Sequence, residues 1–245
     1  MRYFMTFSYD GSKFNGYQKQ EDVKTIQGEI ERALKEISGK DISICASGRT
    51  DAGVHALNQK AHFDLEMNIT KEKLKNALNS KIPSTIYIKD IEEVSDNFHA
   101  RYNVKAKEYI YKINMGEYNP IEKDYILQYN KKLDVVAIER ALKYIEGTHD
   151  FKSFTKSHDQ KEDYVRTIVQ TNLIRDLKNV NFITISIFGT GFMRYMVRNI
   201  VGTLLEIGEG KLKSEDIIEI LAAKDRRKAG ITAKPEGLYL KNVFY

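Results

Sequence analysis

The order of strand and helix signals along this chain of 245 residues predicts an α+β protein built from two successive βαββαβ units. Three observations carry that prediction. Apolar residues alternate with period two over several short stretches, they switch to a helical period between those stretches, and the same order of elements occurs twice. No sequence identity between the halves is visible, so the repeat is one of element order alone.

Arg2–Tyr9 reads as the first strand, with Tyr3, Met5, Phe7 and Tyr9 on one face. Residues 25–37 take up a helical period through Ile26, Ile30, Leu34 and Ile37, and Gly39 follows as a stop. Strands are expected at 42–46 and 60–65 around a glycine-containing loop. A short helix at 70–78 then leads past Pro83 to a strand at 85–91. The second unit opens with a strand at 104–115 that carries Tyr109 and Tyr111. Asp134 caps a helix bearing Ile138, Ala141, Leu142 and Ile145, which stops at Gly147. Residues 167–177 and 180–188 form a hairpin, 194–207 a helix, 214–223 a helix capped by Ser214, and 237–244 the closing strand. Two ferredoxin-like lobes result, spanning 1–103 and 104–245, with their sheets expected to join into one mixed, mainly antiparallel sheet.

A hydrophobic content of 42% supports a sizeable core, and the formal charge of +5 suits a phosphate-rich partner without requiring one. Fifteen tyrosines and no tryptophan fit base-stacking surfaces, or equally rings packed along strands. No apolar run approaches the ~18 residues of a membrane span, and the N-terminal residues lack the apolar block of a signal peptide. The single cysteine, Cys45, cannot close an intrachain disulfide, so the cytoplasm is the expected compartment.

Several chemistries fail on spacing. Gly189-Thr190-Gly191 would need a glycine at 194 to complete a dinucleotide fingerprint, and that residue is Arg194; no phosphate-binding P-loop is present. The histidines at 55, 62, 99, 149 and 158 have no HExxH or CxxC company, so no metal and no cofactor is expected, and His55 and Cys45 read as structural. No segment matches the aromatic RNP1 strand of an RRM. Basic residues that could clamp phosphate are Lys105, Lys107 and the run from Lys224 to Lys228, although such runs are ordinarily solvated.

The densest chemical signal is Ser47-Gly48-Arg49-Thr50-Asp51-Ala52-Gly53-Val54-His55-Ala56, between two expected strands. Its glycines permit tight backbone geometry, and a cation, a hydroxyl and a carboxylate lie close enough to converge on one ligand. A plain turn with Asp51 as its former is the competing reading.

GRTDAGVHA closely resembles the signature loop of the bacterial tRNA pseudouridine synthase A family. The resemblance extends over nearly the whole chain: Tyr9-Asp10-Gly11 through Gly16-Tyr17-Gln18, Thr25-Ile26-Gln27-Gly28, Phe98-His99-Ala100-Arg101-Tyr102, Lys107-Glu108-Tyr109, Gly147-Thr148-His149-Asp150-Phe151, Met196-Val197-Arg198-Asn199-Ile200-Val201-Gly202 and Pro235-Glu236-Gly237-Leu238-Tyr239-Leu240. It implies the pseudouridine synthase fold and an isomerase that converts uridine to pseudouridine without cofactor or metal. It further implies Asp51 as catalytic carboxylate, Arg198 as the cation paired with it, and Tyr109 as the ring that stacks on the target uracil. Arg49, Lys107 and Arg101 become substrate-binding candidates beside Tyr109. The implied partner is tRNA, gripped at the anticodon stem-loop by a homodimer, with uridines just 3′ of the anticodon as targets. Competing readings are the same chemistry on ribosomal RNA, a non-catalytic RNA-binding protein, and a nucleoside hydrolase. The chain departs from the family pattern at Tyr17, where Trp is usual, at Asn58 (usually Gly) and at Lys234 (usually Ala).

Overall fold

The computed structural model describes residues 1–155 and 163–245. The chain divides into two compact units, one of Met1–Lys105 with Tyr239–Tyr245, the other of Ala106–Leu238. Both are α+β, as expected. The final segment, Tyr239–Tyr245, groups with the first unit.

Unit 1 holds β1 (Arg2–Tyr9), α1 (Ile26–Ser38), β2 (Cys45–Ala46), β3 (His55–Asp64), α2 (Lys71–Lys81) and β4 (Ile86–Val94). β1 lies antiparallel between β4 and β3. β2 pairs with β3 through Cys45 and Ala46 opposite His62 and Ala61. The order β4-β1-β3-β2 is the one a split βαββαβ unit requires. The alternation read from sequence holds: Tyr3, Met5, Phe7 and Tyr9 are buried while their neighbours are half-exposed. Thr25 caps α1 by accepting from the Gly28 amide, and Gly39 ends it in the left-handed region at φ 73°. The strand expected at 42–46 shortens to two residues, and β3 starts at His55, well before the expected 60. Its early residues, His55 and Ala56, are the ones beside which Tyr239 and Leu240 run parallel.

Unit 2 holds β5 (Ala106–Asn114), β6 (Leu127–Gln128), α3 (Val135–Ile145), β7 (Gly147–Asp150), β8 (Val165–Arg175), β9 (Phe182–Gly189), α4 (Met196–Gly208) and α5 (Asp216–Ala223); β10 (Leu238–Phe244) follows. β9 lies antiparallel between β5 and β8, and β8 carries β7 on its far edge. Asp134 caps α3 as expected, by accepting from the Ala137 amide. Ser214 does not cap α5. Its hydroxyl donates to the Ala137 carbonyl and ties the approach to α5 onto α3, while Glu215 occupies the cap position without a side-chain bond. β6 and β7 escape the sequence reading because each is too short to show a period.

Candidate active site

The loop between β2 and β3 is fixed by neutral groups. Ser47 Oγ donates to Gln59 Oε1 at 2.7 Å, and Gln59 Nε2 donates to the Gly48 carbonyl at 3.0 Å. Gln59 is fully buried on β3, so these bonds form away from water. Its Nε2 also reaches the Tyr9 hydroxyl at 3.4 Å, and that hydroxyl shares a 2.8 Å bond with Thr50 Oγ1. Burial pushes the Tyr9 phenol up to about 12, so it acts here as a neutral hydroxyl.

From the other side the segment after β1 closes on the loop. The Tyr17 amide donates to the Thr50 carbonyl at 3.1 Å. Gly16, at φ 90°, passes so near that an added Cβ would sit 3.2 Å from both the Ala52 nitrogen and the Thr50 oxygen. At Gly11 a Cβ would lie 1.9 Å from the Val54 carbonyl oxygen, so no side chain fits. The Gly11 amide donates to His55 Nδ1 at 3.1 Å, and the His55 ring stacks on Tyr239 with centroids 4.6 Å apart. These two contacts hold the buried His55 ring in place.

This frame presents Asp51 half-buried, its carbonyl accepting from the Val54 amide at 3.2 Å. Arg49 is exposed and makes no hydrogen bond or ion pair among the described residues. A fixed loop thus carries a partly accessible carboxylate two positions from an uncommitted guanidinium. Arg101, also in unit 1, is exposed on the turn after β4.

Tyr109, Lys107 and Arg198 belong to unit 2. Tyr109 sits on β5 opposite Ile187, largely buried, with the Phe192 ring edge-on at 5.0 Å. Lys107 precedes it on β5, half-exposed. Arg198 is aimed by its own backbone neighbourhood: Nε donates to the Ala233 carbonyl at 2.8 Å, and its carbonyl accepts the Ala233 amide at 3.0 Å. Its guanidinium lies 5.2 Å from the Tyr195 ring centroid, as does that of Arg194. Tyr195 takes φ 64° at the start of α4, a conformation that costs a non-glycine residue energy. Tyr111, two residues beyond Tyr109, donates to the Lys234 carbonyl at 2.6 Å.

The sequence reading missed Gln59, Tyr9 and Tyr195 as supports of the candidate residues. Gln59 offers a signal, a polar residue between Leu57 and Ala61 on the inward face of β3. Tyr195 offers none.

The run from Lys224 to Lys228 is largely committed to the fold. Arg226 donates to Asn199 Oδ1 and Thr232 Oγ1, Arg227 pairs with Asp225, and Lys224 pairs with Asp150. Arg227 and its bonded amide hold the Asp225 carboxyl down to about 2. Of the family departures, Tyr17 is buried with its hydroxyl unbonded among the described residues, a polar group left over where an indole is usual. Asn58 does not use left-handed geometry; it lies within extended β3, and its side chain links the Lys241 carbonyl to Lys89 Nζ. Lys234 contributes its carbonyl, which any residue supplies.

Cys45, His62 and His99 bring potential ligand atoms within 4.8 Å of one another. His62 Nδ1 accepts the Ala100 amide, and His99 Nδ1 accepts the amides of Arg101 and Tyr102. Each Nε2 must then carry the ring proton, which leaves no lone pair for a cation. The 3.7 Å contact of His99 Nε2 with Cys45 Sγ is an N–H donated to sulfur. His158 lies outside the described residues.

The family model described as tRNA pseudouridine synthase matches residues 5–103 and 141–245. "tRNA pseudouridine synthase A" of Geobacillus sp. (strain WCH70) is 46% identical over 244 residues, covering 98% of this chain and 96% of the relative. "tRNA pseudouridine synthase A" of Streptococcus pneumoniae (strain P1031) is 44% identical over 246 residues, covering 100% and 98%. "tRNA pseudouridine synthase A 2" of Bacillus anthracis is 43% identical over 243 residues, covering 98% of each. With its Asp51 loop inside the first matched segment, the chain belongs to the tRNA pseudouridine synthase family.

Proposed function

We propose that this protein isomerises uridine to pseudouridine in the anticodon stem-loop of tRNA, with Asp51 as the catalytic carboxylate. The observation that carries the reading is a family match over both segments with Asp51 on a loop whose backbone is bonded to its surroundings at Gly48, Thr50 and Asp51 itself. The reaction breaks the bond from ribose C1′ to uracil N1, turns the base, and joins C1′ to C5. The C5 hydrogen leaves as a proton and N1 gains one, so no cofactor is consumed. Both routes open to a carboxylate, attack on the sugar or base and removal of a ribose proton, need Asp51 ionised.

Arg198 is the cation we assign to Asp51, and Tyr109 the ring that stacks on the target uracil. Arg49, Arg101 and Lys107 bind the substrate, with Arg49 helping to hold the extruded nucleotide. The family's tolerance of neighbouring target positions favours docking by shape and phosphate contacts more than by base readout. The working unit is a homodimer in the cytoplasm; among the described residues no helix is long and apolar enough to cross a membrane.

The test is to incubate an unmodified tRNA transcript with the purified protein and map pseudouridine along it. Pseudouridine just 3′ of the anticodon is expected. Intact unmodified transcript, or release of free uracil, contradicts the reading, and modification of ribosomal RNA alone redirects it. Arg198→Ala is expected to lower turnover and alter its pH dependence; unchanged behaviour in both removes Arg198 from the site. Light scattering on the eluting protein tests the dimer.

A further inference from the structure

We propose that Tyr102 is a platform on which an unpaired base of the docked RNA stacks, a contact separate from the target uracil and from Tyr109. The inference rests on the tRNA reading above. Tyr102 is 76% exposed, an unusual state for a ring that size. One of its faces is nevertheless covered: it stacks on His99 with centroids 4.2 Å apart and planes 26° from parallel. His99 in turn meets the buried His62 edge-on at 4.7 Å. The three rings form a column that starts in the core and ends at the surface.

The column is fixed at each level. His62 Nδ1 accepts the Ala100 amide at 3.1 Å. His99 Nδ1 accepts the amides of Arg101 at 3.2 Å and Tyr102 at 3.3 Å, which binds the supporting ring to the backbone of the ring it supports. Asn103 closes the turn: its Oδ1 accepts the His99 amide at 2.6 Å, and its own amide donates to the His99 carbonyl at 3.0 Å. A ring so held loses little freedom when a second flat surface covers it, which is the condition for a strong stack. The chemistry around it favours a base over an apolar protein surface. Arg101 precedes Tyr102 and Lys105 follows three positions later, both exposed, and residues 101–105 include no carboxylate. An exposed ring in a segment whose only charges are cations suits a nucleobase, because the cations favour its phosphates.

The chain contains no tryptophan, so Tyr102→Trp places a single indole fluorophore at the platform. The probe is an unmodified tRNA transcript, with binding followed independently by filter retention. The expected result is quenching of the indole emission that saturates along with retention, because a stacked base quenches an indole. Tyr102→Ala should raise the Kd on the order of tenfold, and Tyr102→Phe should restore it. Emission that stays constant while retention saturates overturns the platform alone, as does a Tyr102→Ala Kd equal to wild type. Failure of every form to retain tRNA overturns both the platform and the tRNA reading. Retention with quenching but no pseudouridine supports the platform and removes the catalytic reading.

Discussion

The loop at residues 47–55 and the basic run at 224–228 both mix arginine with aspartate, and the fold holds them by different groups. In the loop, the scaffold grips uncharged parts: the Gly48 and Thr50 carbonyls, the hydroxyls of Ser47 and Thr50, and the backbone of Val54 against Gly11. Arg49 is left exposed without a bond among the described residues. In the run, the scaffold grips the charges: Arg226 reaches Asn199 and Thr232, and Asp225 takes Arg227. On the proposed function, the stretch that acts on the RNA keeps its shape through neutral contacts, while the run at 224–228 engages its charges within the fold.

The largest effect on stability is expected where the loop is gripped by backbone alone. Gly11→Ala drives a methyl group into the Val54 carbonyl, which cannot give way as a flexible side chain would. A loss on the order of 3 kcal/mol follows, roughly 6–12 °C in Tm by thermal unfolding. An unchanged Tm would mean that this approach does not constrain the loop. Gln59→Leu is next. It strips the Gly48 carbonyl and Ser47 hydroxyl of their buried partner, at about 2 kcal/mol. Turnover should fall further than tRNA affinity; equal falls in both would assign Gln59 to general folding.

Tyr9→Phe is milder, about 1 kcal/mol at neutral pH, because only the Thr50 and Gln59 contacts go. It carries a pH signature. The Tyr9 phenol titrates at about 12 in the fold against 10.0 ordinarily, so its contribution is complete below 10.0 and is lost as pH rises through about 12. Alkaline unfolding curves of Tyr9→Phe should lack that part of the loss. Smallest of all is Arg227→Ala: its partner Asp225 is retained by the fold, its own side chain is solvated, and neither Tm nor tRNA affinity should move. A marked drop in affinity would return the run to the list of phosphate clamps.

Much of the fold is legible in the sequence. The strands and helices with long periods, β1, α1, α3 and the β8–β9 hairpin, appear where alternation and caps put them. The candidate loop stood out because its residue types fit no element period. What sequence could not show depends on contacts between distant positions. The final strand reads as an end to the second half, yet Tyr239 lies beside His55 through main-chain pairing that side-chain patterns do not encode. Ser214 has the residue type of a cap and is diverted by the Ala137 carbonyl. Gln59 and Tyr195 gain their roles from the groups they meet in space, and the basic run looked available because its partners, Asp150, Asn199 and Thr232, lie elsewhere in the chain.

The central claim is that position 51 supplies chemistry from a loop whose shape is set by other groups. Asp51→Asn keeps the side chain's size and removes its charge, so the loop's neutral contacts should survive. Pseudouridine formation should fall at least ~10³-fold, with tRNA affinity and Tm near wild type. Turnover at the wild-type rate in that variant would contradict the account.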